Sequence, residues 1–140
     1  MIKEALKAVK TALQQIEPLR YSAEDWGQLD YFAQKPVKFP CALVDVEEVR
    51  YSNNATRSQQ GIAELTVRLA DSRMFNGSFQ SPPNDAEFAI FDLLQAVVNA
   101  LHGLSGETFS PLVRTGTIRA RRDDSIREFR ISFQFAFTDR

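Results

Sequence analysis

Few side chains in this sequence are suited to catalysis or metal binding. His102 is the one histidine and Cys41 the one cysteine. A single histidine excludes multi-histidine metal sites, and a single cysteine excludes an internal disulfide or a cysteine-based metal cluster. No spacing sets Ser105, Ser110 or an aspartate beside His102 to make a Ser-His-Asp arrangement. It falls in the last turn of an expected helix, where an imidazole complements the negative end of the helix dipole. Cys41 opens an expected strand after Pro40 with no neighbouring base to activate it, and reads as a half-buried structural thiol. Asp45, Glu47 and Glu48 are the nearest approach to a carboxylate site. Asp45 and Glu47 share one side of an alternating strand, as an acid/base pair or a cation chelate would require. Without histidine or further ligands, a charged solvent face is the plainer reading. Gly77-Ser78 lacks the Gly-Lys-Ser/Thr run that contacts phosphate. The expectation is a protein that is not an enzyme and carries neither cofactor nor metal.

Arginine is the one chemically capable type that clusters. Arg114, Arg119, Arg121, Arg122, Arg127 and Arg130 fall on two late strands and their turn, opposed by Asp123, Asp124 and Glu128. A guanidinium suits bidentate contact with carboxylate or phosphate. Three uses stay open: cross-strand ion pairs that solvate a hairpin, a subunit contact, or nucleic acid. Base stacking needs aromatics interleaved with the arginines, whereas here the phenylalanines alternate onto the opposite side. With 17 Lys and Arg against 18 Asp and Glu, the net charge of −1 offers no overall field to recruit nucleic acid or an anionic membrane.

The elements that must position these groups are legible by period. Ile2, Leu6, Val9, Leu13 and Ile16 predict an amphipathic helix, with Lys3, Lys7, Lys10 and Gln14 outward, ended at Glu17-Pro18. Residues 19–40 hold Tyr21, Trp26, Leu29, Tyr31 and Phe32 between prolines. So long a connection tends to be functional or partner-bound; it reads as an arm, with an edge strand around Leu29 to Ala33. Strands are expected at Cys41–Tyr51 and Gly61–Asp71, joined by a polar tip at 52–60. Glu64, Thr66 and Arg68 form the wet face of the second strand. A loop spans Ser72 to Pro83. A second helix follows, with Asn84 and Glu87 as a capping box, a broad apolar face of Phe88, Phe91, Leu94, Val97, Val98 and Leu101 widened by Ile90 and Leu93, and Gly103 at its left-handed C-terminus. A weaker strand over Leu112–Arg121 and a strongly alternating one through Phe129, Ile131, Phe133, Phe135 and Phe137 complete the chain. The order α-β-β-α-β-β predicts one α+β domain over residues 1–140. It has two layers, a four-stranded antiparallel sheet carrying both helices on its apolar face, and a polar opposite face (Glu64, Arg68, Arg130, Gln134). No apolar stretch predicts a membrane span or a secretion signal, so a soluble protein made in a cytoplasm is expected.

The order of elements, with the run Gln28-Leu29-Asp30-Tyr31 … Lys38-Phe39-Pro40-Cys41-Ala42-Leu43-Val44, resembles tail-terminator and minor-tail proteins of tailed phages, as encoded in prophages. "Phe-Pro" leading into an apolar strand is the nearest thing to a motif. The resemblance implies a structural protein of the virion tail, assembled in the host cytoplasm as a ring, typically of six copies, on the tail tube. Its partners would be the tube protein and a head-completion protein, with DNA passing through the lumen but not specifically bound. A closed ring with head-to-tail contacts needs two different patches on one subunit. The candidates are the arm (Trp26, Leu29, Tyr31, Phe32) and the arginine hairpin (Arg114, Arg119, Arg121, Arg122, Arg127, Arg130). Two alternatives remain. One is a small ligand-binding α+β domain using the space between the second helix and the sheet, hinted at by Gln95 and Asn99. The other is a nucleic-acid-binding accessory protein acting through the arginines.

Overall fold

A computed structural model of the chain describes residues 2–72 and 85–139. Asn84, the Glu87 side chain and the loop beyond Ser72 lie outside the described residues, and with them the expected capping box. The elements are α1 (Ile2–Gln14), β1 (Tyr21–Glu24), β2 (Cys41–Ala55), β3 (Ser58–Ser72), α2 (Asp85–Leu101), β4 (Val113–Ala120) and β5 (Ile126–Asp139). They form an α+β fold whose single sheet runs β1-β2-β3-β5-β4.

That sheet has five strands and is mixed, where four antiparallel strands were expected. The extra strand comes from the arm. Tyr21–Glu24 pairs in parallel with Cys41–Val44, whereas the expected arm strand at Leu29–Ala33 does not form. Tyr21 and Ala23 bury part of their surface against a second apolar cluster, which gives this short edge its anchor. The remaining pairings are antiparallel. The β2–β3 hairpin is longer than its apolar alternation suggested. Ladder pairs continue from Tyr51↔Gly61 through Asn53↔Gln59, leaving Thr56 and Arg57 as the turn.

Both helices pack on one face, as the pattern requires. Ala5, Val9 and Leu13 of α1 and Ile90, Leu93, Val97 and Leu101 of α2 meet Leu65, Val67, Ile131, Phe133 and Phe135 of the sheet. The buried stripe of α2 is narrower than the broad face expected: Ile90, Leu93, Val97, Val98 and Leu101 are buried, as that face required. Phe88 and Phe91 stay about half exposed, at 47% each, while Phe91 sets its ring edge-on to Phe129 at 5.6 Å. Gln95 and Asn99 bond to each other on the exposed side of α2, so they do not intrude on its apolar face. Gly103 adopts φ +88°, and its N–H donates to the Leu112 carbonyl at 2.7 Å, closing the helix as expected.

A register shift between Val46 and Glu48 marks a bulge in β2. The sequence explains it: Ala42, Val44 and Val46 keep one phase and Val49 and Tyr51 the other. One extra residue returns Val49 to the core side, where it packs against the main cluster.

The opposite face of the sheet is not simply wet. Cys41, Leu43 and Ala70 occupy the polar phase of their strands, yet with Ile126 and Leu29 they form a second buried cluster. The arm folds back over this end of the face, and Leu29 is fully buried beneath it. Cys41 is fully buried, not half-buried. Arg68 and Thr66, expected on the wet face, are also buried.

Candidate assembly surface

The arm turns sharply after β1, and its first loop is built by its own polar groups. The Asp25 carboxylate accepts from the Gly27 N–H at 3.0 Å. The buried Gln28 side chain accepts from the Trp26 N–H at 2.8 Å and donates to the Glu24 carbonyl at 3.0 Å. Gly27 has φ +102°, and an added Cβ would lie 2.6 Å from the Tyr31 ring. The positive φ favours glycine there, and a larger residue would also have to displace the exposed Tyr31 ring. The loop displays Trp26, 57% exposed, and Tyr31, 83% exposed. Phe32 meets Trp26 edge-on at 5.7 Å.

Both ends of this loop are fastened to one buried guanidinium. Arg68 Nη1 donates to Asp25 at 3.1 Å and to Asp30 at 2.9 Å, and Nη2 donates to Asp30 at 2.8 Å. Nε and Nη2 grip Glu128 at 2.9 and 3.0 Å. All five guanidinium N–H groups are thus used. Glu128, 0% exposed, is satisfied in turn: it also accepts from Arg130 at 2.8 Å and from Arg122 at 2.7 Å. Arg68 and Arg130 stand directly opposite in the β3–β5 ladder. Like charges so placed repel, and Glu128 between them resolves the conflict by binding both.

Arg122 extends the network. It chelates Asp124 at 3.0 and 2.8 Å and donates to the Leu29 carbonyl of the arm. The electrostatics follow the geometry. Hydrogen bonding by Arg68 holds the Asp30 carboxyl below the usual range, and Arg122 does the same to Asp124. Burial pushes Glu128 up, but bonds from Arg68, Arg130 and Arg122 together overcome it and leave it lowered. Burial, then the Glu128 charge, pushes the Cys41 thiol up to about 12, so it is neutral and unreactive in place.

The other expected residues divide cleanly. Arg127 is buried on the helical face, bound to Asp71 at 3.0 Å and lying 6.0 Å from the Phe91 ring. Arg114, Arg119 and Arg121 are exposed, with Arg119 over the Phe129 ring at 5.9 Å. Leu29 belongs to the interior and offers nothing to a partner. The arm and the arginine turn, expected as two separate patches, adjoin. Asp30, Phe32 and Lys35 line one side of a cleft of about 1030 Å3, and Arg121, Arg122 and Arg130 the other. Sequence reasoning missed Asp25, Asp30, Arg68 and Glu128 as a unit. The available signal was apolar residues at polar-phase positions (Cys41, Leu43, Ala70), which demand a cover.

Asp45 is held above the usual carboxylate range by burial and then by Asp25, Glu47 and Glu24, but no group of three His, Cys, Asp or Glu among the described residues is placed to hold a metal ion. The bulge falls at Glu47, between the ladder positions of Val46 and Glu48. His102 Nδ1 accepts from the Arg114 N–H at 3.1 Å, joining α2's end to β4. No described helix is long and apolar enough to cross a membrane. The chain matches no protein-family model and no curated protein sequence.

Proposed function

We propose that this chain is a structural assembly protein of a phage tail, a terminator or tail-completion subunit that forms a ring at the end of the tail tube, and not an enzyme. The observation that carries the reading is the display of Trp26, Tyr31 and Phe32. Three partly or largely exposed aromatic side chains stand within, or directly after, a loop tied at Asp25 and Asp30 to a buried arginine. Fixing apolar rings outward leaves apolar surface in contact with water and gives up conformational freedom, and a protein partner that covers them recovers the first of these. Arg121 and the adjoining cleft supply a polar rim to that patch. The ring size, and the tube and head-completion partners, belong to the resemblance.

Size-exclusion chromatography with light scattering over a concentration series tests the proposal, together with binding to assembled tail tube. Trp26→Ala with Tyr31→Ala, and separately Arg121→Ala, should leave unfolding free energy within about 0.5 kcal/mol, as for exposed positions, while weakening assembly or tube binding. A protein that stays monomeric at every concentration and ignores the tube defeats the proposal.

A further inference from the structure

The side of α1 next to the sheet edge leaves an apolar slot of about 460 Å3 beside β1. Ile2, Leu6 and Val44 form its floor, and Ala23 and Glu24 its outer wall. Lys3, Lys7 and Lys10 stand along the rim, exposed. Glu4 is the one carboxylate of α1 against these three lysines, and Lys3 is among the charges acting on it. Their spacing of four and three places like charges side by side on one helical stripe, an unfavourable arrangement that the single Glu4, three residues before Lys7, offsets only in part. The wall is also an edge of the sheet: β1 bonds to β2 on one side and has no strand on the other among the described residues.

We propose that this slot takes an extended, acidic segment of a partner polypeptide. The segment pairs with β1 as a sixth strand, sets alternate apolar side chains between α1 and β1, and brings its carboxylates to Lys3, Lys7 and Lys10. A peptide fits better than an anionic lipid because the free edge presents main-chain donors and acceptors that an acyl chain leaves unused. The β4 edge of a second copy is unsuited, since Arg114 and Arg119 would meet the lysines. The proposal is independent of the tail reading.

The test titrates the full chain with a fluorescent eight-residue peptide alternating valine and glutamate, against its valine–lysine counterpart, by anisotropy at low salt. The acidic peptide should bind at least tenfold tighter. Lys7→Glu with Lys10→Glu should weaken it at least tenfold, and Arg57→Glu, at the far hairpin turn, should not. Amide exchange over Tyr21–Glu24 should slow on binding. The double variant should melt as the wild type does; if it melts early, Lys10→Glu alone replaces it. Equal affinity for the two peptides, indifference to lysine reversal, or binding without protection of β1 each overturns the proposal. So does occupancy by decanoate with no peptide binding, which would make the slot an acyl-chain site.

Discussion

Replacing Arg68 with methionine removes the hub that joins the arm to the sheet while roughly keeping the aliphatic stem. Five N–H bonds to Asp25, Asp30 and Glu128 are lost together. Breaking a buried ion pair by deleting one partner costs about 3–5 kcal/mol. The lower end applies here. Glu128 keeps donors from Arg122 and Arg130, and the Asp30 side chain is 37% exposed and hydrates. The loss of about 3 kcal/mol falls on the contact between the arm and the second face, directly above Cys41. At about 1.4 kcal/mol per factor of ten, the population with the arm lifted should rise roughly 150-fold.

The chain carries its own reporter for this opening. Cys41 is the one cysteine, fully buried under the arm cluster, and in place its thiol is pushed up to about 12. Modification by a disulfide reagent without denaturant therefore reads exposure. In Arg68→Met the labelling rate should rise about a hundredfold, while urea unfolding followed by circular dichroism still shows a folded sheet. A rate within threefold of wild type would refute the clasp. Labelling that tracks only the global urea transition would show that Arg68 serves the whole fold and not the arm.

Acid should loosen the same clasp. Asp30, Asp124 and Glu128 are lowered in the fold relative to their ordinary values of 3.8, 3.8 and 4.5. Their stabilisation is therefore complete above those ordinary values and is lost as pH falls through the folded ones. Urea midpoints should be flat from about pH 7 to pH 5 on this account and drop below about pH 4; Arg68→Met should show a shallower drop. Asp45 carries the opposite sign, being raised, so Asp45→Asn should stabilise by a few tenths of a kcal/mol at pH 7, an advantage that shrinks in acid. Phe133→Ala, at a fully buried position of the main core, should cost about 3–5 kcal/mol in urea unfolding. Gly61→Ala places a Cβ 2.5 Å from the Phe137 ring across the ladder, and should cost about 1–3 kcal/mol by overpacking. A neutral Gly61→Ala would mean that Phe137 swings aside.

The parts legible in the sequence are those in which one local period decides the outcome. β5 alternates five apolar residues without a break, and its register follows. Gly103 ends α2 because an unstrained left-handed residue was available there. The arm is different. Asp25 and Asp30 meet Arg68 across 43 and 38 positions of chain, and neither periodicity nor propensity carries information at that separation. Arg68 sits in the polar phase of β3, which alone says solvent. The contradiction lay in its neighbours: Cys41, Leu43 and Ala70 share that phase and cannot all be wet. The exposure of two phenylalanines at the edge of α2's buried stripe was hidden for a related reason. Phe88 and Phe91 continue the apolar stripe, but the sheet beneath is already filled by Phe129 and Phe133, so these rings stay at the margin, where Phe91 meets Phe129 and Arg127.

The meeting of arm and arginine turn changes what an assembly of this chain requires. A ring closed by head-to-tail contacts uses two separated patches, and these two adjoin as one. If that composite surface is one half of the contact, the other half lies elsewhere on the subunit. The described surface narrows the choice by charge and by edge. β4 is an open edge bearing Arg114 and Arg119, with a register shift between Arg114 and Gly116. Bulges and charges of this kind guard an edge against its own copy. The outer edge of β2 beyond Val44 is unpaired among the described residues and bears Asp45, Glu47 and Glu48 with a bulge of its own. Each edge repels itself, because antiparallel self-pairing sets like charges opposite. Opposite guard charges do not forbid the basic region of one subunit from approaching the acidic edge of the next. A charge-reversed Glu47→Lys with Glu48→Lys variant should therefore lose self-association where Arg57→Glu does not, and should regain it when mixed with Arg119→Glu with Arg121→Glu. Self-association of each variant alone at wild-type strength would place the second half of the contact away from the β2 edge.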